Sequence, residues 1–112
     1  MTQFNADLTK EHWFSLSLNE QLANVGSEVH RIILRRETDP KRSVAAFENT
    51  LDLMDLTLED PRRKKTPALW ELCRVREALA DYFYGENEFG STDKSWEQYF
   101  YGFAYAAALE RV

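Results

Sequence analysis

Helix-start signals recur along the 112 residues and constrain the fold of this chain more than any other feature of its sequence. Two of them place a short polar residue directly before proline, which joins a good N-cap to the residue best suited to the first helical position. Another has the form of a capping box, in which two side chains satisfy each other's backbone N–H groups. The signals are Ser17 with Glu20, Asp39 with Pro40, Thr66 with Pro67, and Asp93.

Apolar residues recur every three or four positions after each signal, and this spacing places them on one face of a helix. No segment alternates with period two over the length of a strand, so no sheet is expected. The predicted inner faces are Leu18, Leu22, Val25, Val29, Ile32 and Ile33; Val44, Phe47, Leu51, Met54 and Leu58; Leu69, Leu72, Cys73, Arg76, Ala80 and Phe83; and Trp96, Tyr99, Phe100, Phe103 and Ala107.

The predicted fold class is therefore all-α, as an antiparallel up-down-up-down four-helix bundle that forms a single domain over residues 17–112. The connections between the helices are about three to eight residues long, which favours antiparallel neighbours. Residues 1–16 are expected to form an irregular segment, a coil or a short helical turn, packed on the bundle, because the spacing of their apolar residues fits no single period.

Composition and charge bound the class of protein. Hydrophobic residues make up 44% of the chain and charged residues 29%, which predicts a globular protein that neither spans a membrane nor is disordered. The net charge of −5 argues against nucleic acid and anionic membranes as main partners. The single cysteine, Cys73, is interpreted as a small buried side chain, and the absence of a possible internal disulfide favours a reducing, cytoplasmic setting.

A row of acidic residues borders the apolar face of the second predicted helix, and an arginine lies within the face of the third. The residues are Glu48, Asp52, Asp55, Glu59 and Arg76. A charge on a core-facing stripe needs a partner, and antiparallel pairing predicts Arg76 nearest the level of Glu48 or Asp52. The favoured interpretation is a structural ion pair that fixes the register of two helices. The alternative is a ligand-binding or catalytic site built from the same cluster.

No sequence pattern predicts a metal or a cofactor. A di-metal bundle requires Glu-x-x-His on two helices, and this motif does not occur in the chain. The four glycines are scattered and form no phosphate-binding loop. No catalytic residue is therefore assigned, and the sequence favours a protein that is not an enzyme.

Four consecutive basic residues stand between the second and third predicted helices. They are Arg62, Arg63, Lys64 and Lys65. Such a run is usually a solvated loop. The alternative is that it contacts an acidic partner or phosphates, which would make this protein a nucleic-acid-associated module.

Two predicted helices carry more apolar surface than one buried face requires. The extra residues are Tyr101, Tyr105 and Leu109 on the last helix, where Gly102 permits close approach of another helix, and Leu53 and Leu56 on the second. Apolar strips left over in this way usually mark an interface. The favoured function is a non-enzymatic interaction or structural module that forms a homodimer or binds another helical protein. Two alternatives are that the N-terminal segment covers one strip, or that an aromatic pocket holds a small apolar ligand.

Overall fold

The computed structural model describes the backbone of residues 6–112 and the side chains from residue 10 onward. This described part contains five helices and no strand, so the predicted all-α class is confirmed. The predicted helix starts are found at the expected residue or directly after it. The helices are α1 (Ala6–Ser15), α2 (Leu18–Arg35), α3 (Pro40–Glu59), α4 (Pro67–Tyr84) and α5 (Asp93–Glu110).

The first helix corrects the sequence analysis, which predicts an irregular segment over residues 1–16. Residues 6–15 are helical, while the prediction for residues 1–5 lies outside the described residues. Trp13 is buried, and its indole Nε1 donates a 2.9 Å hydrogen bond to Thr57 Oγ1 on α3. A tertiary contact through one ring therefore anchors α1, and a helix held in this way needs no periodic apolar stripe.

The predicted N-terminal caps form at α2 and α3, whereas the Thr66 side chain before α4 makes no cap hydrogen bond. At α2, the Glu20 N–H donates to Ser17 Oγ at 3.1 Å and the Ser17 N–H donates to Glu20 Oε1 at 2.9 Å. At α3, the Asp39 carboxylate caps the first turn. A second capping box, formed by Thr92 and Ser95, begins α5. These local bonds satisfy backbone donors that a helix start leaves free, which is why the starts can be read from sequence.

α2 is the central helix. It packs against both α3 and α5, whereas α1 and α4 pack against α3. Gly26 allows α2 and α5 to approach closely, because a Cβ at that position would lie 2.5 Å from the Cβ of Phe100. At Gly102, the glycine predicted to permit close approach, an added Cβ would meet no described atom within 4 Å apart from the backbone of its own helix. The close helix contact of the fold therefore lies at Gly26.

The inner faces of α2 and α5 agree with the sequence prediction, whereas that of α3 is rotated. Ser43, Thr50 and Thr57 are buried on α3, and Val44 is exposed. The three hydroxyls donate to backbone carbonyls, two of them within α3 and one across to Ile32 O on α2. Because a bonded hydroxyl can be buried at little cost, polar residues occupy positions that a hydrophobic pattern assigns to solvent.

This rotation also corrects the prediction for the back of α3. Leu53 is buried in the core and Leu56 packs against it, so neither residue lies on an open interface. On α4, the buried residues are Leu72, Val75 and Leu79, and the predicted buried Cys73 is exposed. Val75 lies between two arginines in the sequence, so the hydrophobic pattern does not assign it to the buried face.

Candidate functional site

An exposed strip runs along α5 on the side that faces away from the core. It consists of Tyr101, Tyr105 and Leu109, whose exposed fractions are 68%, 58% and 56%. The residues are spaced four apart, which places them on one helix face, and the rings of the two tyrosines are stacked with centroids 6.5 Å apart. We call this set the α5 strip. It lies where the sequence predicts it.

The α5 strip is free of charge. No acidic or basic residue occurs from residue 101 to residue 109, and Ala104 and Ala108, which flank the strip, are exposed. Such an uncharged helix surface is unusual on a protein in which 29% of the residues are charged. Large apolar side chains set beside small ones leave room for another surface to approach the helix.

The predicted polar cluster divides into separate contacts. Arg76 binds Asp55 with both ends of its guanidinium, Nε to Oδ1 at 2.6 Å and a terminal nitrogen to Oδ2 at 3.2 Å. Glu59 pairs with Lys10 of α1 at 3.0 Å. Glu48 and Asp52 are exposed, and neither forms an ion pair or hydrogen bond with a residue that the structure describes. The five residues therefore do not converge on one centre.

The sequence analysis expects Arg76 to lie nearest the level of Glu48 or Asp52. In the structure, Arg76 binds Asp55 instead. Helical side chains lean toward the start of their helix, so the long arginine reaches back along α4 toward the end of α3 and meets Asp55. The hydrogen bond to Asp55 raises the pKa of Arg76. Partial burial, and then the charges of Asp55 and Glu48, raise the pKa of Asp52.

In the basic loop, the two arginines bond within the protein and the two lysines are exposed, and the alternative of an anion contact stays a prediction. Arg62 donates to the carboxylate of Asp60 at 2.6 Å and to the carbonyl of Leu16 at 2.6 Å, and Arg63 donates to Gln21 Oε1 at 3.0 Å. These hydrogen bonds hold both guanidinium groups against the protein, although the Arg62 side chain is 45% exposed. Lys64 and Lys65 remain exposed and form no ion pair with a described residue.

Both arginines form ion pairs with Asp60. It is fully buried at the end of α3, where it also accepts a 2.9 Å hydrogen bond from Gln21 Nε2. Hydrogen bonding to the Arg62 guanidinium holds the pKa of Asp60 far below its usual range. The same Gln21 nitrogen donates to the carbonyl of Trp13. We call Trp13, Gln21, Asp60, Arg62 and Arg63 the Asp60 network, and it joins α1, α2 and α3 at one end of the molecule.

A groove of about 520 Å³ opens between α4 and α5, at a place where the sequence predicts no site. Its walls are mainly aromatic, and the loop between the two helices forms one side. The lining residues are Trp70, Glu71, Arg74, Val75 and Ala78 of α4, Phe89 and Ser91 of the loop, and Ser95, Trp96 and Tyr99 of α5. We call it the aromatic groove.

Some polar groups that line the aromatic groove have hydrogen-bond partners, and others have none among the described residues. The hydroxyl of Tyr99 donates to Glu71 Oε2 at 2.6 Å, and burial together with this bond raises the pKa of Tyr99 well above its usual range. Trp96 Nε1 is the one buried side-chain nitrogen or oxygen without a hydrogen-bond partner in the part of the chain that the structure describes. Arg74 forms no ion pair or hydrogen bond with any described residue.

The sequence analysis allows an aromatic pocket as an alternative but does not place it, although one signal for the aromatic groove exists. Trp70 and Phe89 belong to none of the predicted inner faces, and the structure leaves both exposed, Trp70 by 71%. A large aromatic residue that no stripe accounts for is a candidate ligand contact. The groove itself could not be inferred, because its walls come from two helices and a loop whose relative positions only the packed structure gives.

Comparison with other proteins provides no information about the site. No protein-family model, no curated protein and no solved structure matches the chain. Among residues 6–112, no group of three or more histidine, cysteine or acidic side chains could hold a metal ion. Within the same range, no helix has both the length and the apolar character needed to cross a membrane.

Proposed function

We propose that this protein is a non-enzymatic interaction module that self-associates through the α5 strip. The observation that carries the proposal is the exposure of Tyr101, Tyr105 and Leu109 on a helix whose opposite face is fully used by the core. Tyrosine is enriched in interfaces because its ring buries a large area while its hydroxyl stays hydrated.

A second copy of the chain is the partner that the charge pattern favours. The protein carries a net charge of −5, so most pairings of its surface with itself bring like charges together. The α5 strip is the exception, since residues 101–109 contain no charge. In a two-fold dimer the same patch meets itself, and an uncharged patch does this without repulsion.

The surface beside the α5 strip can add area to the proposed contact. A stable interface buries about 800 Å² on each partner, which is more than three side chains supply. A groove of about 430 Å³ between α2 and α5 adjoins the strip, with Tyr101 and Ala104 on one wall and Ser27 and His30 on the other. The groove also contains Arg31 and Glu97, whose charges are opposite, so including it in the proposed interface adds no net charge to the uncharged strip.

We further propose that α2–α5 form the antiparallel up-down-up-down bundle. Contacts between opposite helix ends support this arrangement. Ser17, at the start of α2, bonds to Glu110 at the end of α5, and Phe47, early in α3, lies 4.5 Å from the ring of Tyr84 at the end of α4. Tyr82, late in α4, donates to Asp93 at the start of α5.

A cytoplasmic location is also proposed, and the thiol supports it. Cys73 is the only cysteine of the chain and is exposed. An exposed free thiol persists best where the surroundings are reducing.

Sedimentation equilibrium tests the proposed function. The wild-type protein is expected to dimerise between about 1 and 100 µM, where an interface worth about 5–8 kcal/mol dissociates. Tyr105→Glu places two carboxylates in the self-apposed patch and should give a monomer. Leu34→Glu is the matched control, because Leu34 on α2 is 60% exposed and lies outside the proposed surface. A wild-type monomer throughout, or equal loss of the dimer in both variants, would refute self-association by this face.

A further inference from the structure

We propose that the aromatic groove between α4 and α5 binds a small planar aromatic carboxylate. Four rings line the groove, from Trp70 on α4, Phe89 on the loop, and Trp96 and Tyr99 on α5. Ligand pockets are typically about 300–1,000 Å³ and mostly apolar with a few polar groups, and the volume of about 520 Å³ lies within that range.

The exposed rings point to an aromatic ligand. Trp70 is 71% exposed and Phe89 is 46% exposed. Both residues lie at the groove rather than being scattered over the surface. A flat ligand between them would bury apolar area on both of its faces, and offset or edge-to-face contacts with Trp96 and Tyr99 would fix its orientation.

Arg74 determines the charge of the ligand. It lines the groove, and its guanidinium has no partner among the described residues. Glu71, the acidic residue nearest to it in the lining, accepts the hydrogen bond from Tyr99 and is thereby engaged on the α5 side. A planar guanidinium binds a carboxylate through two parallel hydrogen bonds. The carboxylate of the ligand would therefore pair with Arg74.

A second polar group is consistent with an occupied groove. The indole Nε1 of Trp96 is buried and has no acceptor in the described part of the chain. A buried donor without a partner is costly, and native proteins rarely keep one without a use. Trp96 lines this groove and also the groove between α2 and α5, and because its Nε1 is closed to solvent, the side chain would have to turn before a ligand oxygen could accept from it.

Naphthoate is a suitable probe, and the three tryptophans report on its position. In a proton–nitrogen correlation spectrum, each indole N–H gives a separate signal. Naphthoate should shift the signals of Trp70 and Trp96 and leave unchanged that of Trp13, which is bonded to Thr57 and does not line the groove. No shift at any naphthoate concentration, or a shift of all three signals together, would overturn the proposal.

Two variants test the chemistry of recognition. Arg74→Gln should weaken naphthoate binding about tenfold and leave the binding of the neutral analogue naphthylmethanol unchanged. Trp70→Ala should weaken both ligands. Tyr101→Ala is the control, because Tyr101 is an exposed ring on α5 outside the groove, and it should weaken neither. Equal naphthoate affinity in Arg74→Gln and wild type would overturn the assignment of the carboxylate. Retention of the Trp13 signal shows that each variant is folded.

Discussion

Two buried tryptophans differ in whether the indole N–H has a hydrogen-bond partner, and the regions around them differ in the same way. Trp13 is 4% exposed and Trp96 is 7% exposed, so each ring is almost completely removed from solvent. Trp13 Nε1 donates to Thr57, and the polar groups around it form the Asp60 network. Trp96 Nε1 has no partner in the described part of the chain, and exposed rings and an unpaired arginine lie beside it.

The difference between these regions separates structure from function. In the Asp60 network, every charged or polar group that is buried has an internal partner, so the network holds three helices together and offers nothing to a ligand. The aromatic groove has the reverse character, since it leaves a buried donor and a cation without partners among the described residues, and large rings exposed. Groups that the fold does not satisfy are the ones available for binding.

The largest expected effect is the removal of the buried carboxylate from the Asp60 network. Asp60→Ala removes the carboxylate to which the buried Gln21 amide and the Arg62 guanidinium donate, and it should lower the free energy of unfolding by about 3 kcal/mol. Asp52→Ala is the control, because Asp52 is exposed and its charge lies near those of Asp55 and Glu48. This control should change stability by less than about 0.5 kcal/mol. Urea denaturation at neutral pH measures both variants, and equal losses would contradict the structural role of the network.

Acid should release the same network without a mutation. The pKa of Asp60 is depressed in the folded state, so its contribution to stability is present above the unfolded pKa of about 3.9 and is lost as the pH falls toward the folded value. The free energy of unfolding should therefore fall below about pH 4 in the wild type. The fall should be shallower in Asp60→Asn, which has no carboxylate to protonate. Parallel pH profiles for the two proteins would show that other acids dominate.

An intermediate effect is expected where α2 presses on the ring next to Trp96. A Cβ at Gly26 would lie 2.5 Å from Phe100 Cβ, and Phe100 stacks on Trp96. Gly26→Ala should cost about 1–3 kcal/mol through overpacking and should shift the indole signal of Trp96 while that of Trp13 stays in place. Gly102→Ala, where nothing lies within 4 Å, should instead stabilise the helix by up to about 1 kcal/mol. A stable Gly26→Ala variant would show that the helices can separate at little cost.

The elements of the fold that depend on neighbouring residues could be predicted, and those that depend on distant ones could not. The helix starts follow from caps such as Ser17 with Glu20, whose bonds lie within one turn. The rotation of α3 could not be predicted, because burial of Thr57 depends on a hydrogen bond from Trp13, which is remote in sequence. A hydrophobic pattern assigns such a hydroxyl to solvent.

The candidate site shows the same limit. Tyr101 and Tyr105 could be assigned to one exposed face because both belong to a single helix, and helical geometry alone relates them. The pairing of Arg76 depended on the reach and direction of a long side chain, and the prediction chose the wrong carboxylate. The aromatic groove joins two helices and a loop, so only the three-dimensional arrangement brings Arg74, Phe89 and Trp96 together.

The smallest expected effect is the most direct test of the contrast between the two tryptophans. Trp13→Phe deletes the N–H that donates to Thr57 Oγ1 and leaves this buried oxygen with one hydrogen bond fewer. Trp96→Phe deletes an N–H that has no partner among the described residues. The two changes remove the same atoms, so Trp13→Phe should cost about 1 kcal/mol more than Trp96→Phe in urea denaturation. Equal costs would mean that the Trp96 indole is already satisfied and that the two regions do not differ in this respect. A lower cost in Trp96→Phe, together with weaker naphthoate binding, would show that this indole contributes more to the ligand than to the fold.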